Sequence, residues 1–218
     1  MEHNNQQGEV CLHTHALRGS RVRTRTLTLC GLMGALSAVL MLFKFPLPFM
    51  PPFMSFDFSG IVELIGGFAM GPSAAVGIIA VKLLIKIVMQ GTSSAWTGEV
   101  QNFLLSCAYV LPAVYLYHRH KSRRSAEMGM AVGTVLCAIV ASFTNMYLII
   151  PFYVLFAGLQ MEAILSMCTA VNPFVTNELT LVLWGVIPFN LLKNGILSLL
   201  TLVLYKRLSP HMKRFLER

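Results

Sequence analysis

Arg21-Val-Arg-Thr-Arg-Thr-Leu-Thr-Leu-Cys-Gly-Leu-Met-Gly-Ala-Leu-Ser-Ala-Val-Leu-Met-Leu-Phe-Lys-Phe45 passes abruptly from a basic segment to a long apolar run. Between Thr26 and Phe45 the only charge is Lys44. A helix of about 20 residues rising ~1.5 Å each covers the ~30 Å hydrocarbon layer of a bilayer. The Arg-rich start imitates a secretory signal. However, the run is nearer span length than signal length, and no small-x-small cleavage site with a soluble chain behind it follows. It reads as a retained first transmembrane helix.

The rest of the chain agrees. Of 218 residues, 56% are hydrophobic and 12% charged, with mean hydropathy +0.67. Soluble domains carry about 25% charge, so this chain cannot coat a water-facing globule, and disorder needs low hydrophobicity. A soluble enzyme or binding domain is therefore excluded. Gly, Pro and charge divide the sequence into six expected spans: Thr26–Phe45, Ser59–Met70, Ser73–Gln90, Gly98–His118, Met128–Phe156 and Leu179–Tyr205. A short amphipathic stretch, Gln160–Ala170, is expected as a loop helix.

Charge gives the orientation. Lys and Arg exceed Asp and Glu by 17 to 9, and most of the cations fall in three clusters. These are Arg18, Arg21, Arg23 and Arg25; Arg119, Lys121, Arg123 and Arg124; and Lys206, Arg207, Lys213, Arg214 and Arg218. Each abuts an apolar run, as cytoplasmic flanks do, so the excess reads as a topology signal against anionic lipid, not as a nucleic-acid surface. Both termini are then cytoplasmic, and the loops 46–58, 91–97 and 158–178 on the opposite face contain no Lys or Arg. The expected organisation is a basic N-terminal tail (1–25), one all-α six-helix membrane domain (26–210) and a basic C-terminal tail (211–218). No internal repeat is evident.

Chemistry has few candidates. No phosphate-cradling Gly-x-x-x-x-Gly-Lys loop is present, since Pro72 stands where the lysine would follow Gly66–Gly71. Neither a metal-ligand spacing nor a nucleophile motif occurs. Cys11, Cys30, Cys107, Cys137 and Cys168 show no framework spacing and mostly sit in apolar runs. The histidines lie in the N-terminal tail, at 118 and 120, and at 211.

The first external loop is different. Phe45-Pro-Leu-Pro-Phe-Met-Pro-Pro-Phe-Met-Ser-Phe-Asp-Phe-Ser59 holds prolines that remove backbone donors and fix φ, so it cannot be helical. It is too apolar for water. It either rests on lipid as an interfacial hairpin or folds back as a stiff lid over a pocket; the need to bury so much apolar surface favours the lid.

Inside the spans, Pro188-Phe-Asn-Leu-Leu-Lys-Asn-Gly195 puts Asn190 and Lys193 on one helix face with Asn194 beside them. A lysine there costs about 2.5–3.5 kcal/mol to insert. It is either half of a structural ion pair or a contact to a bound solute. Lys82 and Lys86 could snorkel or pair with Glu63. Asn145 is either a helix–helix hydrogen bond or a ligand contact. Glu99, Asn102 and Ser106 follow at helical spacing. Gly31 with Ala35, and Gly34 with Ala38, form overlapping small-x-x-x-small patterns, suited to packing within the chain or to docking another subunit.

Together these residues resemble the riboflavin-specific substrate-binding components of energy-coupling-factor (ECF) transporters. The likeness runs from about Thr26 to Pro210. It is carried by the Pro-Phe loop, Phe68-Ala-Met-Gly-Pro72, Lys82, Gly98-Glu-Val-Gln-Asn-Phe103, Asn145-Met-Tyr147, Pro188-Phe-Asn-Leu-Leu-Lys193 and Tyr205-Lys-Arg-Leu-Ser-Pro210. The resemblance implies a six-helix, non-enzymatic vitamin-capture subunit of a bacterial cell membrane, with flavin entering from outside beneath the loop. It implies Ser55, Asn145, Asn190 and Lys193 as polar contacts to riboflavin, with Leu47 and loop phenylalanines over the ring. Ser106 joins them as a substrate-binding residue, where the family pattern expects a small glycine-like one. Lacking an ATP site, the chain would need a transmembrane coupling subunit and two ATPase subunits, docked partly on Gly31, Gly34, Ala35 and Ala38. No metal and no cofactor is expected beyond the flavin cargo. An S component for FMN or another vitamin, a lipid-acting membrane enzyme (with Glu99 as a poor catalytic candidate) and a structural membrane protein are the alternative readings.

Overall fold

The apolar runs fold as helices, and the prolines and glycines between them set where each helix stops. The computed structural model describes residues 24–46, 54–92, 96–155 and 161–217. Helix α1 is Thr24–Leu42. A two-residue ribbon follows, β1 (Phe45–Pro46) pairing antiparallel with β2 (Ser55–Phe56), in register Phe45 to Phe56 and Pro46 to Ser55. Then come α2 (Ser59–Met70), α3 (Pro72–Gln90), α4 (Thr97–His120), α5 (Arg123–Thr144), α6 (Ile150–Leu155), α7 (Met161–Thr169), α8 (Glu178–Leu181) and α9 (Ile187–Glu217). Among the described residues, five stretches are long and apolar enough to cross a membrane: α1, α3, α4, residues 123–152 and residues 178–205. The chain is an all-α, multi-pass membrane protein.

Helix α2 has 12 residues, about 18 Å of rise and too short to cross alone. All of Ser59–Phe68 is nonetheless buried, as expected of a helix whose single charge, Glu63, has a buried partner. It is the central post, packed by α3, α4 and α9. Gly71 ends it with φ 104, a left-handed conformation that glycine adopts without a Cβ penalty, and Pro72 then opens α3 at a position needing no N–H.

Small residues bring neighbouring backbones together. A Cβ on Gly129 would stand 2.8 Å from Ala113 Cα, and one on Gly133 would strike the Tyr109 carbonyl oxygen. Helix α5 therefore lies directly on the backbone of α4, in the close approach that small-x-x-x-small spacing permits. Outside, Leu27, Leu32, Val88, Leu199 and Val203 are exposed, an apolar jacket that would be a liability in water.

Helical turns widen before two prolines. Residues 145–149 and 182–186 are π-helical, preceding Pro151 and Pro188. A proline lacks the N–H of its turn and crowds the carbonyl four residues back; a wider turn accommodates both, and the Trp184 carbonyl accepts instead from Asn172 Nδ2 at 3.4 Å. The expected loop helix 160–170 is α7. Most boundaries fall within three residues of expectation, and two differ by more. The fifth helix begins at Arg123, capped by Ser122, whose Oγ accepts from the Ser125 N–H at 3.1 Å. The last helix continues to Glu217 through the expected 211–218 tail.

Candidate functional site

A cavity partly open to solvent lies between α2, α3, α4, α5 and α9 beneath the β ribbon. Each wall contributes from a helix face already fixed by packing. Helix α4 presents Asn102, Leu105, Ser106 and Tyr109, spaced three or four apart. Helix α9 presents Asn190, Lys193, Asn194 and Leu197 at the same spacing. Asp57, Ser59 and Gly60 close the ribbon end.

Two ion pairs border the cavity. Lys82 Nζ meets Glu63 Oε1 at 2.5 Å, with both side chains 1% exposed. It also donates to Asn102 Oδ1 and to Ser106 Oγ, each at 3.0 Å. Glu63 Oε1 accepts in turn from Ser37 Oγ of α1 at 3.3 Å. The second pair joins Lys193 Nζ to Asp57 Oδ2 at 2.7 Å, tying α9 to the segment after β2. Asp57 Oδ1 accepts from the Ser59 N–H at 3.0 Å and from Ser59 Oγ. Burial raises the Asp57 carboxyl pKa, but the Lys193 and Lys82 charges and these hydrogen bonds outweigh it and hold the group at about 2. A third pair, Lys86–Glu99, joins the ends of α3 and α4 outside the cavity.

Neutral groups complete the wall. Tyr109 Oη donates to the Asn194 carbonyl at 3.1 Å and pairs with Ser198 Oγ at 2.8 Å. Asn190 Nδ2 donates to the Val186 carbonyl at 2.8 Å, where the π turn rejoins the α-helix. Above them the ribbon gathers Phe45, Phe56 and Phe58, with ring centroids 5.2–6.0 Å apart. Phe56 is 2% exposed, so the ribbon is anchored in the core beside the cavity.

Of the residues expected to touch substrate, Ser106, Asn190 and Lys193 line this cavity. Ser55 is half-buried in β2 and is not on the lining. Asn145 opens the first π turn and donates to the Ala141 carbonyl at 2.8 Å, away from the lining. Leu47 lies outside the described residues. The expected docking set divides. A Cβ on Gly34 would be 2.5 Å from Val81 of α3, and Ala38 is 1% exposed. These two pack inside the chain, because the inner face of α1 needs small residues to approach α3. Gly31 has nothing within 4 Å of a Cβ, and Ala35 is half-buried. No spacing in the sequence pairs Asp57 with Lys193 or Lys86 with Glu99, and none marks Tyr109. The one available signal was that each buried cation requires a carboxylate.

Comparison with known proteins places this arrangement. A family model described as "ECF transporter, substrate-specific component" matches residues 25–205. The riboflavin transporter RibU of Staphylococcus aureus (strain TCH60) is 29% identical over 192 residues, 88% of this chain and 94% of that protein. The riboflavin transporter FmnP of Bacillus subtilis (strain 168) is 25% identical over 196 residues, 88% and 96% of the two chains. A solved structure described as "Structure and mechanism of the S component of a bacterial ECF transporter" superposes with TM-score 0.68 at 27% identity, covering 88% of this chain and 99% of that one. The chain belongs to the substrate-specific components of ECF transporters, a family without enzymatic activity.

Proposed function

We propose that this protein captures riboflavin at the outer face of a bacterial cell membrane. It releases the vitamin inside when docked to an ECF coupling subunit driven by two ATPases. The observation that carries this reading is the cavity: Leu105, Leu197 and the Tyr109 ring among amides and hydroxyls at fixed positions, beneath a Phe-rich ribbon. That is the complement of a flat apolar ring system with a polar edge and a hydroxylated tail. The relatives' names point to the same vitamin. Ser106, Asn190 and Lys193 are the contacts best placed for it.

Charge favours riboflavin over FMN. The two cations on the lining, Lys82 and Lys193, are each matched by a carboxylate, so a phosphate would meet no unmatched cation on that lining.

The topology completing this reading counts α2 as the second of six spans, sheltered from lipid by its neighbours. Arg119–Arg124 and both termini are then cytoplasmic, and the β ribbon belongs to an external lid. Gly31 and Ala35 are the part of α1 left for a coupling subunit, and the remaining exposed apolar surface faces lipid. No cofactor is required; flavin is cargo.

The test is colour. Protein purified in detergent from riboflavin-containing cells should be yellow and release flavin on denaturation. A colourless preparation that also failed to bind added riboflavin would overturn the reading.

A further inference from the structure

We propose that Asn194 is a specificity-determining contact that reads the hydroxylated side chain of the flavin; the inference rests on the riboflavin reading above. Asn194 is 4% exposed and lines the cavity, yet its Nδ2 has no hydrogen-bond partner among the described residues. The neighbouring amides do not meet this donor. Asn190 Nδ2 is held by the Val186 carbonyl, and Asn102 Oδ1 by Lys82. The Cys137 thiol adjoins the Asn194 amide, but sulfur is a weak acceptor, and this thiol directs its hydrogen to Asn190 Oδ1 at 3.9 Å. A buried amide with an unmet donor is costly, whereas alanine or leucine at the same helix position would leave nothing unmet. Ligand-free packing therefore gives no reason for an asparagine there.

The surroundings indicate which part of the ligand meets it. The charged pair Asp57–Lys193 sits at the ribbon end of the cavity. Asn194 is one turn before Leu197, and its own carbonyl accepts from the Tyr109 and Ser198 hydroxyls, neutral groups that both give and accept hydrogens. A polyol hydroxyl suits this end. It can accept the Asn194 Nδ2 hydrogen while passing its own on. The flat imide edge of the ring is better served by Asn190 and Lys193.

Two ligands separate this from a general packing role: riboflavin, and lumiflavin, which has the same ring with a methyl group in place of the hydroxylated chain. Asn194→Ala should weaken riboflavin binding about tenfold or more and leave lumiflavin binding unchanged. The similarly sized Asn194→Leu, which loses the Nδ2 donor without adding a charge, should do the same. The unfolding temperature of ligand-free Asn194→Ala should be unchanged or higher, because no partner is lost. Equal losses for both flavins would overturn the inference, as would wild-type affinity for riboflavin or a fall in ligand-free stability that accounts for the loss. Wild-type protein that bound neither flavin would remove the riboflavin reading itself and this inference with it, an outcome distinct from wild-type binding with an inert Asn194.

Discussion

Lys82–Glu63 and Lys193–Asp57 are both lysine–carboxylate pairs beside one cavity, and they do different things. Lys82 has three donors, and three oxygens meet them: Glu63, Asn102 and Ser106. At 1% exposure it has nothing left to offer a ligand. Lys193 is 20% exposed, has one carboxylate partner, and joins a distant helix to the ribbon segment. Its remaining hydrogens can reach a solute. The lesson is that a lysine in a membrane helix is not by itself a binding residue; the count of acceptors already around it decides.

The largest effect should come from breaking the sealed pair. Lys82→Ala leaves Glu63 buried without its cation, which costs about 3–5 kcal/mol. Thermal unfolding in detergent should show a protein that is poorly folded with or without flavin. A normally stable Lys82→Ala protein with only its flavin binding lost would make Lys82 a ligand contact and erase the distinction. The double change Lys82→Met with Glu63→Leu should recover much of the stability, since removing both charges is far less damaging than removing one.

Next in size is Lys193→Ala. Asp57 keeps both Ser59 donors, so the stability cost should be smaller, about 1.5–3 kcal/mol. Flavin affinity should fall about 10- to 100-fold, the worth of a hydrogen bond from a charged group, read by quenching of flavin fluorescence on titration. An unchanged affinity would place Lys193 with Lys82 as purely structural.

How much of this contrast was visible in the sequence depends on distance along the chain. The spans were legible because apolar length and flanking charge are local properties, and the ribbon's non-helical backbone followed from its prolines. Asn190 and Lys193 were found together because helical spacing is also local. The Asp57–Lys193 contact spans 136 positions and arises only when α2 and α9 pack, so no spacing rule reaches it. The π turns had a local signal in Pro151 and Pro188, which sit inside apolar runs. Gly129 and Gly133 likewise carried the same small-residue spacing as α1, but on a helix whose partner was not yet known. The α1 set shows the opposite limit: spacing found all four residues but could not tell the inward pair, Gly34 and Ala38, from the outward pair.

A smaller effect tests the electrostatics of the open pair. Asp57→Asn removes the carboxylate that neutralises Lys193 and leaves an ammonium at the cavity with charge to spare. Competition between riboflavin and FMN should then move about tenfold toward FMN, because a phosphate gains a cation partner. A ratio that stayed the same would mean that the phosphate of FMN does not come near Lys193.

The smallest expected effect is an absence of change with pH, and it discriminates because a different pairing would produce one. The Asp57 carboxyl is held at about 2, below its ordinary value of 3.8. A carboxyl lowered in the folded state stabilises it fully above the ordinary value and loses that contribution as pH falls through the lowered one. The Asp57–Lys193 pair is therefore intact at neutral pH and opens only in strong acid. Riboflavin affinity should be flat from about pH 5 to about pH 8. A transition inside that window would require a carboxyl with a raised value at the site, and an Asp57 that is not neutralised by Lys193. The ribbon would then be held to α9 by a neutral hydrogen bond, and Lys193 would be as free a cation as the saturated Lys82 is not.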